Sequence, residues 1–330
     1  MAGVTPMLRC NQACCEGRMR GLSLLRAALF RRNGRIGEFS MAAAGYSVVI
    51  PAHNEAAVIE RCLRALMDDP AGPGEIVVAC NGCTDDTAAI ARRVAPQAKV
   101  LEIAQGSKIL ALNAGSAAAT LAPRFFVDAD VVVTGRALRA VAARLDDSTL
   151  VRAAAPALAV DLAGCSGPVR SYYKVWMQQP YVQVGMVGSG IFGLSAQGLA
   201  EVGTFPNIIA DDLYVRTRFA PEQRLRVDRD EAGAPVSFTV FPPRDLKSLV
   251  RIEGRRRAGD MQLNAAHATA HSARTTTGST LLAALGKNGV GMIDLAWYLA
   301  IKTAGRLLAR RMVKARRPIH WERDESSRGG

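Results

Sequence analysis

The residues best suited to chemistry are two aspartates at the end of an apolar segment. Asp128 and Asp130, separated by Ala129, follow directly after residues 124–127, RFFV. Where a strand opens into a loop, both carboxylates can turn toward one point, and such hard oxygen ligands suit Mg²⁺ or Mn²⁺. The same triplet also occurs in solvated turns, so its meaning depends on the surrounding segments.

Two further segments carry charged groups at predicted helix starts. Lys108 follows Gly106-Ser107, and a helix N-terminus beside an ammonium group favours an anion. Asp211 and Asp212 precede another helical segment. Either aspartate could cap that helix, or accept a proton from a substrate hydroxyl. The alternative for Lys108 is an ordinary exposed lysine.

Polar loops also follow the first two predicted strands. The first loop is Pro51-Ala-His-Asn54-Glu55, and the second contains Cys80-Asn81-Gly82-Cys83. Helix capping is the alternative role for Asn54. The C-x-x-C spacing could mark a redox dithiol or half of a zinc site. No second C-x-x-C exists and the four His are scattered, which disfavours both readings.

Alternating strands and helices position these loops. Residues 46–50, 75–79, 99–103 and 124–127 are predicted strands, and 55–68, 86–94 and 108–120 are predicted helices. This order is typical of βαβ units and a mainly parallel sheet. Such sheets bind ligands beyond the carboxyl ends of their strands. The polar loops are therefore predicted to face one site.

Composition and charge indicate a globular protein with basic ends. The 330 residues are 49% hydrophobic and 22% charged. Of the net charge of +13, residues 1–45 carry +5 and residues 302–330 carry +6. A nearly neutral body argues against a nucleic-acid groove and favours tails that meet an anionic membrane, solvated ends being the alternative. Seven cysteines without a credible signal peptide predict a reducing, cytoplasmic compartment.

The C-terminal part of the sequence predicts a helix whose apolar run is too short to cross a membrane. Residues 291–301 are mostly apolar, but only seven uncharged residues separate Asp294 from Lys302, whereas a span needs about 20. An amphipathic helix in the membrane interface fits this pattern. The alternative is a helix packed on the catalytic domain.

In this order and spacing, the segments resemble the family-2 nucleotide-sugar glycosyltransferases of the GT-A fold. The resemblance covers about residues 46–260. It implies an α/β fold with a mainly parallel central sheet flanked by helices, and a C-terminal helical extension beyond it. It also implies inverting transfer of a sugar from a nucleotide diphosphate to an acceptor hydroxyl, with Mn²⁺ or Mg²⁺ as cofactor. The acceptor, whether saccharide, lipid or small molecule, is left open.

The resemblance also implies roles for single residues. It places Pro51, Asn54 and Glu55 around the nucleoside, Asn81 on the base, Lys108 near the donor, Asp128 on the ribose or donor sugar and beside the metal, Asp130 on the metal, and Asp212 as general base next to Asp211. The family's usual Asp-Asp-Gly-Ser is here Cys80-Asn-Gly-Cys83. An Asn oxygen can still accept a hydrogen bond from a uracil N3–H, so UDP is the expected carrier.

The resemblance further separates this chain from processive relatives. Residues 251–259, RIEGRRRAG, lack the tryptophan of the processive Gln-x-x-Arg-Trp segment, which disfavours polysaccharide synthesis. The arginines at 255–257 could touch a diphosphate or an anionic acceptor. A solvated helix face is the alternative.

The predicted organisation has three parts. Residues 1–45 are a basic, disordered tail, residues 46–260 the catalytic domain, and residues 261–330 a basic helical extension that could lie peripherally on the inner face of a membrane. Met41 directly precedes the first regular structure. We therefore expect residues 1–40 to be dispensable.

Two rival functions remain. Gly188, Gly190 and Gly193 match the G-x-G-x-x-G of NAD(P)-dependent oxidoreductases, although far from the first βαβ unit where that fingerprint belongs. A non-catalytic domain that only binds a nucleotide sugar is the second rival.

Overall fold

The strands form one sheet in a computed structural model that describes residues 45–185, 188–208, 210–266, 271 and 278–314. The strands within these residues are β1 (Ser47–Ala52), β2 (Glu75–Asn81), β3 (Lys99–Ile103), β4 (Arg124–Val127), β5 (Val132–Val133), β6 (Ala153–Val160), β7 (Ile191–Leu194), β8 (Arg224–Val227) and β9 (Ser237–Val240). Residues 1–44 lie outside the described part, and with them the predicted tail and the expectation about Met41.

The order of the strands confirms a mainly parallel sheet. β3, β2, β1 and β4 lie side by side and parallel. β7 then runs antiparallel between β4 and β6. The first half of β6 pairs with β8 and its second half with β9, both parallel, and β5 pairs antiparallel with β9. The carboxyl ends of β1, β2 and β4 therefore meet at one edge.

Helices cover the sheet and extend the chain beyond it. Those in the described residues are α1 (Ile59–Leu66), α2 (Thr87–Val94), α3 (Lys108–Ala118), α4 (Gly135–Asp146), α5 (Gly167–Met177), α6 (Pro180–Gln183), α7 (Ala196–Val202), α8 (Asp211–Arg218), α9 (Leu246–Ala266), α10 (Gly278–Leu282) and α11 (Met292–Lys314), with 3₁₀ turns at Pro221–Gln223 and Lys287–Gly289. The predicted boundary after residue 260 falls inside α9.

The core explains why these segments form strands. β1 is buried along its whole length, and its β-branched residues fit a sheet covered on both faces. α3 packs closely on β1 at Gly115, where an added Cβ would lie only 2.4 Å from Cγ1 of Val49. A larger residue at Gly115 would push α3, and Lys108 with it, away from the sheet.

The first helix begins later than predicted. The predicted start at residue 55 is wrong, because α1 begins only at Ile59. Asn54 has a left-handed φ of 54°, and the next two amides bond to side chains at and just before the start of α2 instead of starting a helix. The N–H of Glu55 donates to Oγ1 of Thr87 at 2.7 Å, and that of Ala56 donates to Oδ2 of Asp85 at 3.1 Å. This cross-link fixes the two polar loops against each other.

The last helix packs on the catalytic segment through one face. Tyr298 of α11 stacks on Tyr172 of α5 with ring centroids 5.2 Å apart, and Nζ of Lys302 donates to Oε2 of Glu253 in α9 at 2.6 Å. Within the described residues, no helix is long and apolar enough to cross a membrane. The opposite face of α11 is exposed, and Ile293 retains 73% of its accessible surface.

Glu75 joins the start of β2 to the segment before β4. Its carboxylate accepts hydrogen bonds from Lys99 at 2.7 Å, from the Thr120 amide at 2.7 Å and from the Ser47 hydroxyl at 2.8 Å. Burial alone would raise the pKa of Glu75, but these bonds lower it from 4.5 to about 2. The ionised carboxylate therefore stabilises the fold above pH 4.5, and this contribution disappears as the pH falls toward 2.

We expect Glu75→Gln to lower the free energy of unfolding by about 2 kcal/mol at pH 7. The pKa difference corresponds to roughly 3 kcal/mol, which we discount because the half-exposed Lys99 is screened by water. Urea unfolding at pH 7 and at decreasing pH measures the effect. The gap to the wild type should close as the pH falls, and the surface variant Glu60→Gln should cost less. A gap that is independent of pH would contradict this role.

Candidate active site

The loops after β1 and β2 form one rigid corner. Oδ1 of Asn54 accepts a hydrogen bond from the Thr84 amide at 2.7 Å, and Glu55 is buried. Pro51 lies within β1 and is also buried. Pro51, Asn54 and Glu55 therefore lie at the carboxyl edge of the sheet, and their contact with a nucleoside stays a prediction.

Asn81 is buried, which differs from the predicted contact of its side chain with the nucleotide base. The residue is 2% exposed, and its Nδ2 donates to the carbonyls of Ala52 at 2.8 Å and Ala79 at 3.4 Å. Its Oδ1 accepts from the Ser107 amide at 2.9 Å. Because both ends of the amide are engaged internally, Asn81 ties β1, β2 and the start of α3 together.

The two cysteines beside Asn81 are part of the same packing. Sγ of Cys83 lies 3.5 Å from the carbonyl of Ala52 and 3.4 Å from the Asn54 amide. Burial and the neighbouring Cys83 raise the pKa of Cys80 to about 12. Redox and zinc chemistry both require a thiolate, which this environment disfavours. In the described residues no three His, Cys, Asp or Glu side chains cluster as metal ligands.

Lys108 bridges the two acidic pairs. It starts α3 directly after Ser107, whose hydroxyl caps the helix by accepting from the Leu110 amide at 3.3 Å. Its Nζ lies 2.8 Å from Oδ1 of Asp128 and 3.2 Å from Oδ2 of Asp211. The lysine side chain is only 16% exposed. Lys108 is therefore an internal counter-ion and not an exposed surface lysine.

Asp128 and Asp130 leave the end of β4 in a fixed turn. The Asp128 amide donates to the Gly190 carbonyl at 2.8 Å, and the Val131 amide closes the turn on the Asp128 carbonyl at 3.0 Å. Both aspartates are partly exposed. One or two carboxylates completed by water and phosphate oxygens are a usual Mg²⁺ site, so these residues fit such an ion. Oδ1 of Asp128 is also the ion-pair partner of Lys108.

Asp211 and Asp212 start α8 but occupy different environments. Asp211 is buried, and burial raises its pKa despite Lys108. Burial would also raise the pKa of Asp212, but Arg256, Arg216 and Lys108 hold it below its ordinary value. Neither side chain caps the helix in the usual geometry. Both carboxylates are therefore anionic at neutral pH, and Asp212 has the lower pKa of the two.

The glycine-rich turn at residues 188–190 lies against Asp212. Its place in the fold differs from that of a dinucleotide-binding fingerprint. A Cβ on Gly188 would lie 2.7 Å from Cβ of Asp212, and one on Gly190 would lie 2.6 Å from Cγ2 of Val131. Both glycines have positive φ, of 109° and 98°. The turn leads into strand β7, whereas the fingerprint follows a strand and opens a helix. The oxidoreductase reading therefore lacks its structural context.

Comparison with known proteins agrees with this geometry. Residues 47–156 match the model of glycosyl transferase family 2. These residues are a family-2 glycosyltransferase domain. They include the loops after β1 and β2, Lys108 and the Asp128–Asp130 turn. No curated protein matches the whole sequence significantly.

Two solved structures extend the comparison to most of the glycosyltransferase. A mannosyltransferase from Pyrobaculum calidifontis in complex with GDP-Man and Mn²⁺ is 17% identical, with a TM-score of 0.51 over 82% of this chain and 75% of that one. Glucosyl-3-phosphoglycerate synthase from Mycobacterium tuberculosis in complex with Mn²⁺, UDP-Glc and phosphoglyceric acid is 19% identical, with a TM-score of 0.50 over 66% and 79%. These similarities confirm the GT-A fold.

Two arginines near the acidic pair were not singled out from the sequence. Arg216 follows Asp212 by one helical turn, and Arg224 opens β8. The i, i+4 spacing of Asp212 and Arg216 was a signal that both share a face of α8. Arg224 could not be found this way, because only the sheet brings β8 to this place. Of the arginines at 255–257, Arg256 and Arg257 are both exposed, and the guanidinium carbon of Arg256 lies 5.9 Å from the centre of the Trp176 ring.

Proposed function

We propose that this glycosyltransferase moves a sugar from a nucleotide-diphosphate donor to an acceptor hydroxyl with inversion. The observation that carries the proposal is the ionised Asp212, linked through Asp211 and Lys108 to the Asp128–Asp130 turn. One carboxylate base beside one cation-binding turn is the minimum that such a transfer requires. A domain that only bound the donor would have no need of an ionised carboxylate here.

For the donor site, we assign Asp130 as the ligand of Mn²⁺ or Mg²⁺. We assign Asp128, which lies beside the ion, to the ribose or the donor sugar. The related structures with GDP-Man or UDP-Glc contain Mn²⁺, which supports this assignment. When bound, the ion offsets the charge that develops on the leaving diphosphate. Lys108 fixes the orientation of Asp128 and contributes positive charge near the donor.

For the nucleoside, we assign the corner formed by Pro51, Asn54 and Glu55. Asn81 supports this corner from inside and acts by positioning it. UDP remains the proposed carrier.

For the reaction, Asp212 accepts the proton of the acceptor hydroxyl while that oxygen attacks the anomeric carbon opposite the departing nucleotide. Because Gly188 and Gly190 have no Cβ, the turn that contains them can lie close to Asp212 and Asp128. Asp211 holds Lys108 and is a positioning residue. The acceptor hydroxyl therefore has to lie between the glycine turn and the donor.

The test is nucleotide release from a panel of UDP-, GDP- and dTDP-sugars with Mn²⁺ or EDTA. We expect Mn²⁺-dependent release from one donor, slow with water as acceptor and absent in Asp212→Asn. Titration with NADH serves as the comparison. Binding of NADH without binding of any nucleotide sugar would favour the oxidoreductase, and donor binding without any release would favour a non-catalytic domain.

We also propose that the exposed face of α11 binds an anionic membrane surface, at the cytoplasmic face. Its first half exposes Met292, Ile293, Trp297 and Leu299. Its second half exposes four cations, Arg306, Arg310, Arg311 and Lys314. Asp294, the acid of this helix, is buried at the packed face. An apolar stretch next to cations matches a lipid interface with anionic headgroups.

Flotation with vesicles tests this surface. We expect binding to vesicles containing phosphatidylglycerol and not to neutral ones. Each of Arg310→Gln and Arg311→Gln should weaken binding about five-fold, from roughly 1 kcal/mol per cation near the surface. The double variant Ile293→Ala/Trp297→Ala should weaken it further, while Leu150→Ala, at an exposed leucine of another segment, should not. Equal binding of all variants would contradict the assignment.

A further inference from the structure

Arg216 presents a guanidinium group beside the proposed base, Asp212, and forms no ion pair in the described residues. It lies one turn after Asp212 on the same face of α8. Its Nε is buried and has no hydrogen-bond partner. The guanidinium carbon lies 5.1 Å from the Tyr181 ring, which supports one side of the group. Arg216 as a whole is partly buried, and an anion that accepted hydrogen bonds from its guanidinium group would offset the loss of water there.

Arg224 repeats the same pattern next to Arg216. Its Nε is also buried and without a partner. Burial lowers the pKa of Arg224, the charge of Arg216 lowers it further, and Glu222 partly offsets both. Among the ion pairs of the described residues, none involves Arg216 or Arg224. Two neighbouring guanidinium groups are therefore each left without an ion pair in the described part of the chain.

The remaining charges around this pair do not neutralise it. Arg256 faces the same region from α9 and adds a third cation. Glu253 is engaged by Lys302 at 2.6 Å and by Arg256 at 3.4 Å. Burial and the charge of Asp212 raise the pKa of Asp260, which weakens it as a counter-charge. Asp212 remains as the main anion of the region.

The aromatic groups below the arginines form a rigid floor. Nε1 of Trp176 donates to the Tyr181 hydroxyl at 2.5 Å, and Arg256 lies over the Trp176 ring. Arg216, held over the Tyr181 ring, is close to Asp212, and Arg224 is close to Arg216. Neither arginine pairs with Asp128 or Asp130 among the ion pairs of the described residues.

We infer that Arg216 and Arg224 bind an anionic group, phosphate or carboxylate, carried by the acceptor, an inference that rests on Asp212 as the base of the proposed function. Guanidinium groups match both anions with two parallel hydrogen bonds. The anion fixes the acceptor at one end while Asp212 takes the proton of its hydroxyl at the other. The acceptor is thus a phosphorylated or carboxylated molecule, and a neutral sugar lacks the group that Arg216 and Arg224 recognise.

Direct binding of small anions tests the inference. Inorganic phosphate, acetate and vesicles of phosphatidic acid are titrated against the full-length protein saturated with UDP and Mg²⁺, so that the donor site is filled. We expect at least one of these probes to bind, and Arg216→Gln and Arg224→Gln each to weaken it about ten-fold or more. The probe that binds distinguishes a phosphate, a carboxylate and a lipid phosphate. Arg218→Gln, at an exposed arginine of the same helix, should bind like the wild type.

Stability measurements separate recognition from a structural role. Because neither guanidinium group forms an ion pair in the described residues, Arg216→Gln and Arg224→Gln should leave the free energy of unfolding nearly unchanged. Arg216→Lys, which keeps the charge, should retain part of the anion binding. The inference is overturned if no probe binds, if all variants bind alike, or if weaker binding only follows a loss of stability.

The two proposals fail in distinguishable ways. Asp212→Asn should abolish transfer but keep the anion site. If UDP and every nucleotide sugar fail to bind, the proposed function fails, and the same titration without nucleotide still decides whether Arg216 and Arg224 bind anions.

Discussion

Asp212→Asn is expected to bind the donor as tightly as the wild type and to lose transfer by roughly 10²- to 10⁴-fold, the usual contribution of a general base. The amide has nearly the same shape as the carboxylate but cannot accept the proton. Arg216, Arg256 and Lys108 keep Asp212 ionised in the wild type, so its basic form is present at neutral pH. Steady-state rates with saturating donor, together with calorimetric donor binding, measure both quantities.

The matched control for this experiment is Asp228→Asn. Asp228 is an exposed carboxylate paired with Arg226, and its replacement should leave transfer unchanged. Asp211→Asn should instead act through Lys108, with weaker donor binding and lower stability. If Asp212→Asn kept more than about a tenth of the wild-type rate, the base would have to be another group.

Asp130→Ala is expected to remove the metal dependence of donor binding and to weaken binding in the presence of Mn²⁺ by about 100-fold or more, since such an ion contributes several kcal/mol. Asp130 lies just beyond β4 and, unlike Asp128, is not among the ion-pair partners of Lys108. Calorimetry of UDP with Mn²⁺ and with EDTA measures the effect. In EDTA the variant and the wild type should bind UDP equally weakly.

The control for Asp130→Ala is a substitution of Asp128, the other aspartate of the turn. Asp128→Asn should keep a larger part of the metal dependence, because Lys108 already engages this carboxylate. Metal-dependent UDP binding that survives in Asp130→Ala and is lost in Asp128→Asn would reverse the two roles.

The sequence predicted the first half of the sheet well because each strand there is a short β-branched run with a clear end. β3 and β4 have the predicted bounds, and β1, β2, α2 and α3 differ by one or two residues. The start of α1 failed because it depends on Thr87 and Asp85, which are distant in the chain. Long-range partners of backbone amides leave no local pattern.

The candidate site was predicted in outline and not in its connections. Lys108, Asp128, Asp211 and Asp212 were each recognised, and the structure brings them together. Their ion pairs follow from the sheet, which the local sequence does not encode. Asn81 differs from its prediction for the same reason, since the start of α3 takes up its Oδ1. Arg224 lay hidden because its importance depends on Arg216, eight residues away in another element.

The C-terminal helix α11 has an amphipathic sequence pattern that fits two outcomes, packing on the protein and binding to a membrane surface. One face of α11 packs on α5 and α9 through Tyr298 and Lys302, which realises the packed alternative. The other face still exposes Ile293 and Trp297. A single helix thus carries both patterns, and only the packing of its neighbours decides which face is buried.

The most direct test of the donor site is a crystal structure of Asp212→Asn with UDP and Mn²⁺, with the ion located by anomalous scattering. We predict a manganese peak about 2 Å from a carboxylate oxygen of Asp130, with the diphosphate beside it. The uracil should lie against the corner of Asn54 and Glu55. A manganese peak away from Asp130, or a nucleotide bound along the Gly188–Gly193 turn instead, would contradict the account.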